Sequence, residues 1–150
     1  MIPKNEIDRC RDDIVYFAER YYYLKPGVTI KLYPYQKEIL RECTAKDKKG
    51  SYIHKTSILS MPRQNGKSEM STILGLHALF HGGYGHEILS VGIGGEQTAK
   101  VIFNKARRAI ENCPALYDSI GDKNFKLGTI TVPALDSTWE IKPSLYLSSI

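Results

Sequence analysis

The run Ser60-Met61-Pro62-Arg63-Gln64-Asn65-Gly66-Lys67-Ser68 places a glycine, a lysine and a hydroxyl in consecutive positions, with an arginine four residues before the lysine. Such a set suits a polyphosphate. Gly66 lets the backbone approach an anion without a Cβ in the way, and Lys67 can reach β- and γ-phosphate oxygens. The Ser68 hydroxyl can ligate Mg²⁺, and Arg63 is a second cation that could stabilise charge developing in phosphoryl transfer. A helix-opening turn with a solvated lysine would carry the same triplet, and a loop arginine paired to a carboxylate would account for Arg63. Context separates these readings. A phosphate-binding loop must lie between a buried strand and a helix whose first N–H groups are unpaired, because turn and helix start together make the donor array.

The flanking residues have that pattern. Residues 56–60, Thr-Ser-Ile-Leu-Ser, are short, β-branched and apolar, as a buried strand requires, and residues 68–81 carry Met70, Ile73, Leu74, His77 and Leu79 in a helical rhythm closed by Gly82-Gly83. The alternation repeats, with a buried strand over 87–93, a Gly94-Gly95 turn and a long helix over 96–113 whose Ile102, Ala106, Ala109 and Ile110 share a face. Strand, helix, strand, helix predicts an α/β fold with a parallel sheet flanked by helices. Upstream, the spacing predicts one amphipathic helix over 5–23 with Asn5 as N-cap, an extended piece over 28–32 and a helix over 34–45 opened by Pro34. Downstream, a short helix over 115–120 precedes a strand pair marked by Ile130/Val132 and Trp139/Ile141, and 142–150 starts another strand with no helix to cover it, the pattern of a fragment.

Composition narrows the class. At 150 residues the chain suits a single core. With 42% hydrophobic and 25% charged residues it is neither a disordered tail nor a fibre, and no apolar stretch approaches the roughly 20 residues of a membrane helix. No secretory signal opens the chain, so an intracellular address is expected. Three cysteines, Cys10, Cys43 and Cys113, never form a C-x-x-C pair, which points to small buried side chains instead of zinc or a disulfide framework. His77 and His81 have the i, i+4 spacing that can bind zinc, but no third-ligand pattern accompanies them, and packed or solvated histidines are expected. The net charge of +5 permits a nucleic-acid partner. Lys100, Lys105, Arg107 and Arg108 fall on the polar arc of the 96–113 helix, either as a stripe for a DNA backbone or as an ordinary solvated face.

The segment Pro62-Arg63-Gln64-Asn65-Gly66-Lys67-Ser68 resembles the deviant Walker A loop of phage terminase large subunits, the ATPases that drive DNA packaging, where the first glycine is often missing; here Met61 stands in its place. Leu32-Tyr33-Pro34-Tyr35-Gln36 resembles that family's adenine-recognising motif, and the run from Gly95 to Phe103 resembles the segment after its second strand. The resemblance covers about residues 30–113. It implies a P-loop NTPase fold, incomplete at its C-terminus, with residues 1–50 as a helical segment carrying the adenine motif and 51–150 as a partial ATPase core. It implies ATP and Mg²⁺ as cofactors and a nucleotide site made of Tyr35, Gln36, Arg63, Gln64, Asn65, Gly66, Lys67 and Ser68. Arg63 and Lys67 act on the transferring phosphate, and Ser68 on the metal. A glutamine amide can match adenine N6 and N7, and Tyr35 can stack on the base, although tyrosines at a helix entry also serve as packing.

The partners implied are double-stranded DNA, a terminase small subunit and a portal or procapsid, with self-association of the full-length protein, in the cytoplasm of a bacterial host. The apolar strand ending in Asp-Glu that would complete catalysis is not found between Ser68 and Ile150, nor are the clustered carboxylates of a nuclease domain. Nucleotide binding without efficient hydrolysis is the expectation for these residues alone. A helicase-like translocase shares the glutamine and the loop but usually keeps the first glycine. A non-catalytic nucleotide- or DNA-binding remnant is the alternative from another class.

Overall fold

The computed structural model describes residues 2–92 and 96–143. It opens with two helices where one was expected: α1 spans Lys4–Asp12 and α2 spans Ile14–Tyr21. Asp13 breaks them. It adopts extended backbone (φ −134°, ψ 106°) and its carboxylate accepts the Val15 N–H at 3.0 Å, capping α2. Apolar periodicity runs across such a joint unchanged, so it predicts one helix. Pro3, not Asn5, is the N-cap of α1. A two-stranded antiparallel ribbon, β1 (Tyr23–Lys25) and β2 (Val28–Thr29), leads to α3 (Pro34–Cys43), which Pro34 opens as expected.

Helix α4 spans Lys67–His81, β3 Glu87–Gly92, α5 Glu96–Asn112 and α6 Pro114–Ile120. A 3₁₀ turn, Asp122–Asn124, then leads into β4 (Phe125–Lys126), β5 (Thr129–Val132) and β6 (Ser137–Pro143). The four-stranded sheet has the order β3-β6-β5-β4. Only β3 and β6 are parallel, in register from Glu87 opposite Thr138 to Gly92 opposite Pro143; the other pairs are antiparallel. The architecture is α/β with a mixed sheet, where a parallel sheet flanked by helices was expected.

The expected strand over 56–60 is not formed, so of the strand-then-helix context expected around Gly66-Lys67-Ser68 only the helix is present. Residues 56–60 belong to no strand, and Ile58 is 87% exposed. A strand exists only through its ladder, and the sheet partner of β3 is β6. Ser57 and Leu59 instead line a hollow with residues of α4 and α5. Ile93, the Gly94-Gly95 turn and the expected last strand beyond 143 lie outside the described residues.

One core joins the N-terminal helices to the rest. Phe17 and Ala18 of α2, Leu40 of α3, Ile73 and Leu76 of α4, Ala106 and Ile110 of α5 and Ile130 of β5 are all fully buried in one apolar cluster. Trp139 of β6 occupies the place where α4 meets the sheet. Its ring meets Phe103 edge-on at 6.4 Å, its Nε1 donates to Ser90 Oγ at 2.8 Å, and a Cβ on Gly75 would come within 2.4 Å of it. Glycine at 75 therefore lets the middle of α4 approach the indole, which seats the helix against the sheet.

The two histidines are packing residues. His77 is buried, bonded through Nε2 to the Cys10 carbonyl at 3.0 Å, and the ring of Phe17 meets both imidazoles edge-on. Burial pushes the His81 pKa down to about 3, and that of His77 below its ordinary value. Among the described residues no group of three His, Cys, Asp or Glu could hold a metal ion. Cys10 and Cys113 are buried free thiols, as expected, and Cys43 is half-buried.

Candidate functional site

Residues 61–66 form a tight turn that delivers the chain into α4. Gln64 (φ 66°) and Gly66 (φ 76°) both take left-handed backbone, which is costly for the glutamine and natural for the glycine. The Asn65 side chain braces the turn from within, its Nδ2 donating to the carbonyls of Pro62 (3.2 Å) and Arg63 (3.3 Å). Gly66 is the N-cap of α4 and brings no side-chain acceptor, so the first amides of the helix lack a cap. Uncapped amides at the positive end of a 15-residue helix favour an anion.

Lys67 and Ser68 occupy the first turn of α4 and, with Ser57, Leu59, Ser71 and Ile102, border a hollow of about 410 Å³. Lys67 is exposed and makes no ion pair with any described residue, and the Ser68 hydroxyl takes no hydrogen bond among them. Arg63 is exposed on the turn and likewise has no carboxylate partner among the described residues. Among the described residues, the cations predicted to meet phosphate are thus not consumed by internal pairs. A larger cavity, about 490 Å³, lies away from the turn, and its arginines, Arg11 and Arg41, are both paired with aspartates.

Helix α3 brings Tyr35 and Gln36 to the same turn. The Tyr35 hydroxyl donates to the Asn65 carbonyl at 3.1 Å, and the Gln36 amide reaches the same oxygen at 3.4 Å. Tyr33 and Tyr35 stack with ring centroids 6.2 Å apart and planes 6° from parallel; Tyr33 is 66% exposed and Tyr35 40%. All eight residues assigned to the nucleotide lie on the turn, on the α4 start, or on the α3 start that touches it.

Sequence reasoning overlooked Glu69. Its carboxylate accepts from the Tyr22 hydroxyl and pairs with Lys105 of α5, so it ties the α4 start to both neighbours. Burial, and then the Glu69 carboxylate, raise the Tyr22 pKa. Nothing in the spacing of 69 and 105 announces this link. It also bears on the basic arc of α5, because Lys105 is paired to Glu69, and Arg107 to Glu111 at 2.8 Å.

No protein-family model matches this chain, and no curated protein matches it in sequence. Among solved structures, the crystal structure of the HK97 bacteriophage large terminase superposes on 89% of the chain with a TM-score of 0.70, at 20% sequence identity. This is a terminase-like fold. The chain spans 27% of that terminase's length. Identity of 20% makes the likeness one of fold. Within the terminase-like fold, the turn at Gly66-Lys67-Ser68 opens a helix that packs on α5 and the sheet. No helix among the described residues is long and apolar enough to cross a membrane.

Proposed function

We propose that this chain is the nucleotide-holding portion of a viral DNA-packaging ATPase, a terminase large subunit of the P-loop NTPase class. The observation that carries the reading is the α4 start: a glycine N-cap without a side-chain acceptor, followed by a lysine with no ion pair among the described residues and a serine bordering an open hollow, in a fold shared with a phage terminase. ATP is the ligand proposed. The amides after Gly66 and the Lys67 ammonium hold its phosphates, Arg63 faces the charge that grows on the transferring group, and Gln64 and Asn65 shape the turn. Tyr35 and Gln36, bonded to the Asn65 carbonyl of the turn, would sit beside the bound nucleotide.

Mg²⁺ fits the same place. The Ser68 hydroxyl, without a partner among the described residues, would hold the ion beside phosphate oxygens, and the ion would supply neutralisation of their charge. In the full-length protein, hydrolysis would be coupled to moving double-stranded DNA through a portal into a procapsid, with a small subunit and further copies of the chain as partners, inside the bacterial host.

Titration calorimetry of the chain with magnesium-ATP tests the reading. One saturable site with a dissociation constant on the order of micromolar is expected, the affinity range of many nucleotide sites (about −8 kcal/mol). No heat with ATP, alongside salt-dependent binding of duplex DNA, would refute nucleotide binding and favour a DNA-only module.

A further inference from the structure

Gln36 is the third residue of α3 and only 6% exposed. Its amide is engaged at both ends. Oε1 accepts the Tyr33 N–H at 2.9 Å, closing the start of the helix, and Nε2 donates to the Asn65 carbonyl at 3.4 Å. The Tyr35 hydroxyl donates to that same carbonyl, and a Cβ on Gly66 would lie 2.4 Å from Gln36 Nε2, so turn and glutamine are in direct contact. Two donors from α3 therefore converge on one oxygen of the phosphate-side turn.

That oxygen controls an amide. A peptide unit is planar and trans, so its C=O and N–H point in opposite directions. Drawing the Asn65 carbonyl toward α3 turns the Gly66 N–H away from α3 and holds it there. The Asn65 side chain, bonded to Pro62 and Arg63 carbonyls, keeps the remainder of the turn from following. An amide aimed in advance loses less entropy when an anion arrives.

We propose that Tyr35 and Gln36 are positioning residues for the phosphate-binding turn, acting through the Asn65 carbonyl, so that they serve triphosphate affinity whatever base is attached. The inference rests on the reading of that turn as a phosphate site and adds a role that base recognition does not require. A glutamine that only read adenine would affect base-bearing ligands alone. A tyrosine that only stacked would act through its ring, not its hydroxyl.

Inorganic tripolyphosphate, which has no base, separates these roles. Its affinity and that of ATP, each with Mg²⁺, are measured by calorimetry for the wild type, Tyr35→Phe and Gln36→Ala. Tyr35→Phe keeps the ring and removes only an exposed hydroxyl, so its folding is secure; thermal melts check Gln36→Ala, which also loses the helix-capping bond. Both variants are expected to weaken tripolyphosphate and ATP by the same factor, roughly 3- to 10-fold, the worth of one hydrogen bond. The Gly66 amide resonance of the ligand-free variants should also move. Tripolyphosphate affinity within twofold of wild type in either variant overturns the proposal, whether or not ATP affinity falls. A wild type that binds neither ligand refutes the phosphate site itself, a different result from a wild type that binds both and is insensitive to the substitutions.

Discussion

Lys67→Ala is expected to weaken magnesium-ATP binding on the order of 100-fold, from the loss of a charge-assisted contact worth roughly 1.5–3 kcal/mol. The fold should be unaffected. Lys67 is exposed at the first position of α4 and pairs with no described carboxylate, and alanine is the better helix former. Calorimetry measures the affinity, and circular dichroism with a thermal melt measures the fold. A variant that binds ATP as the wild type does would mean that the ammonium does not meet phosphate. A variant that unfolds would mean that the lysine has a structural role which its surroundings do not show.

Trp139→Ala should produce the largest loss of stability. The indole is 1% exposed, is packed edge-on against Phe103, is hydrogen-bonded to Ser90 and lies over Gly75. Emptying such a site costs about 3–5 kcal/mol, from lost transfer energy and from a cavity that α4 and β6 can only partly close. For 150 residues that corresponds to a melting temperature lower by roughly 8–15 °C. Thermal and urea unfolding are the measurements. A loss below about 1 kcal/mol would contradict the packing of α4 on the sheet through this residue. Because α4 begins at Lys67, the same variant should also lose nucleotide affinity at temperatures where it remains folded.

Local signals carried the helices well. The turn chemistry of Pro34, Gly82 and Pro114 and the 3.6-residue periodicity placed α3, α4, α5 and α6 close to their observed bounds. Two features escaped for physical reasons. Asp13 interrupts the first helix by capping the second, and its effect depends on one side-chain bond that an apolar stripe does not register. Residues 56–60 have a strand composition, but a ladder partner is a property of the fold and not of the segment.

For the site, glycine, lysine and serine followed by a helical rhythm located the α4 start, although the strand expected before them did not form. The convergence of Tyr35 and Gln36 on the Asn65 carbonyl joins residues about 30 positions apart, and so does the Glu69 link to Lys105. No spacing rule reaches that far. The β4–β5 hairpin was missed for a simpler reason: β4 has two residues, too few for any alternation, and its turn at Leu127-Gly128 places the leucine fully in solvent.

The most direct test of the central claim, that the turn before α4 grips a triphosphate, is a titration of the ¹⁵N-labelled chain with a non-hydrolysable magnesium-ATP analogue. Saturable shifts are expected at the Gly66, Lys67 and Ser68 amides, with the β4–β5 hairpin and α1 unmoved. Shifts confined to the basic face of α5, or none at the turn under saturating ligand, would contradict the claim.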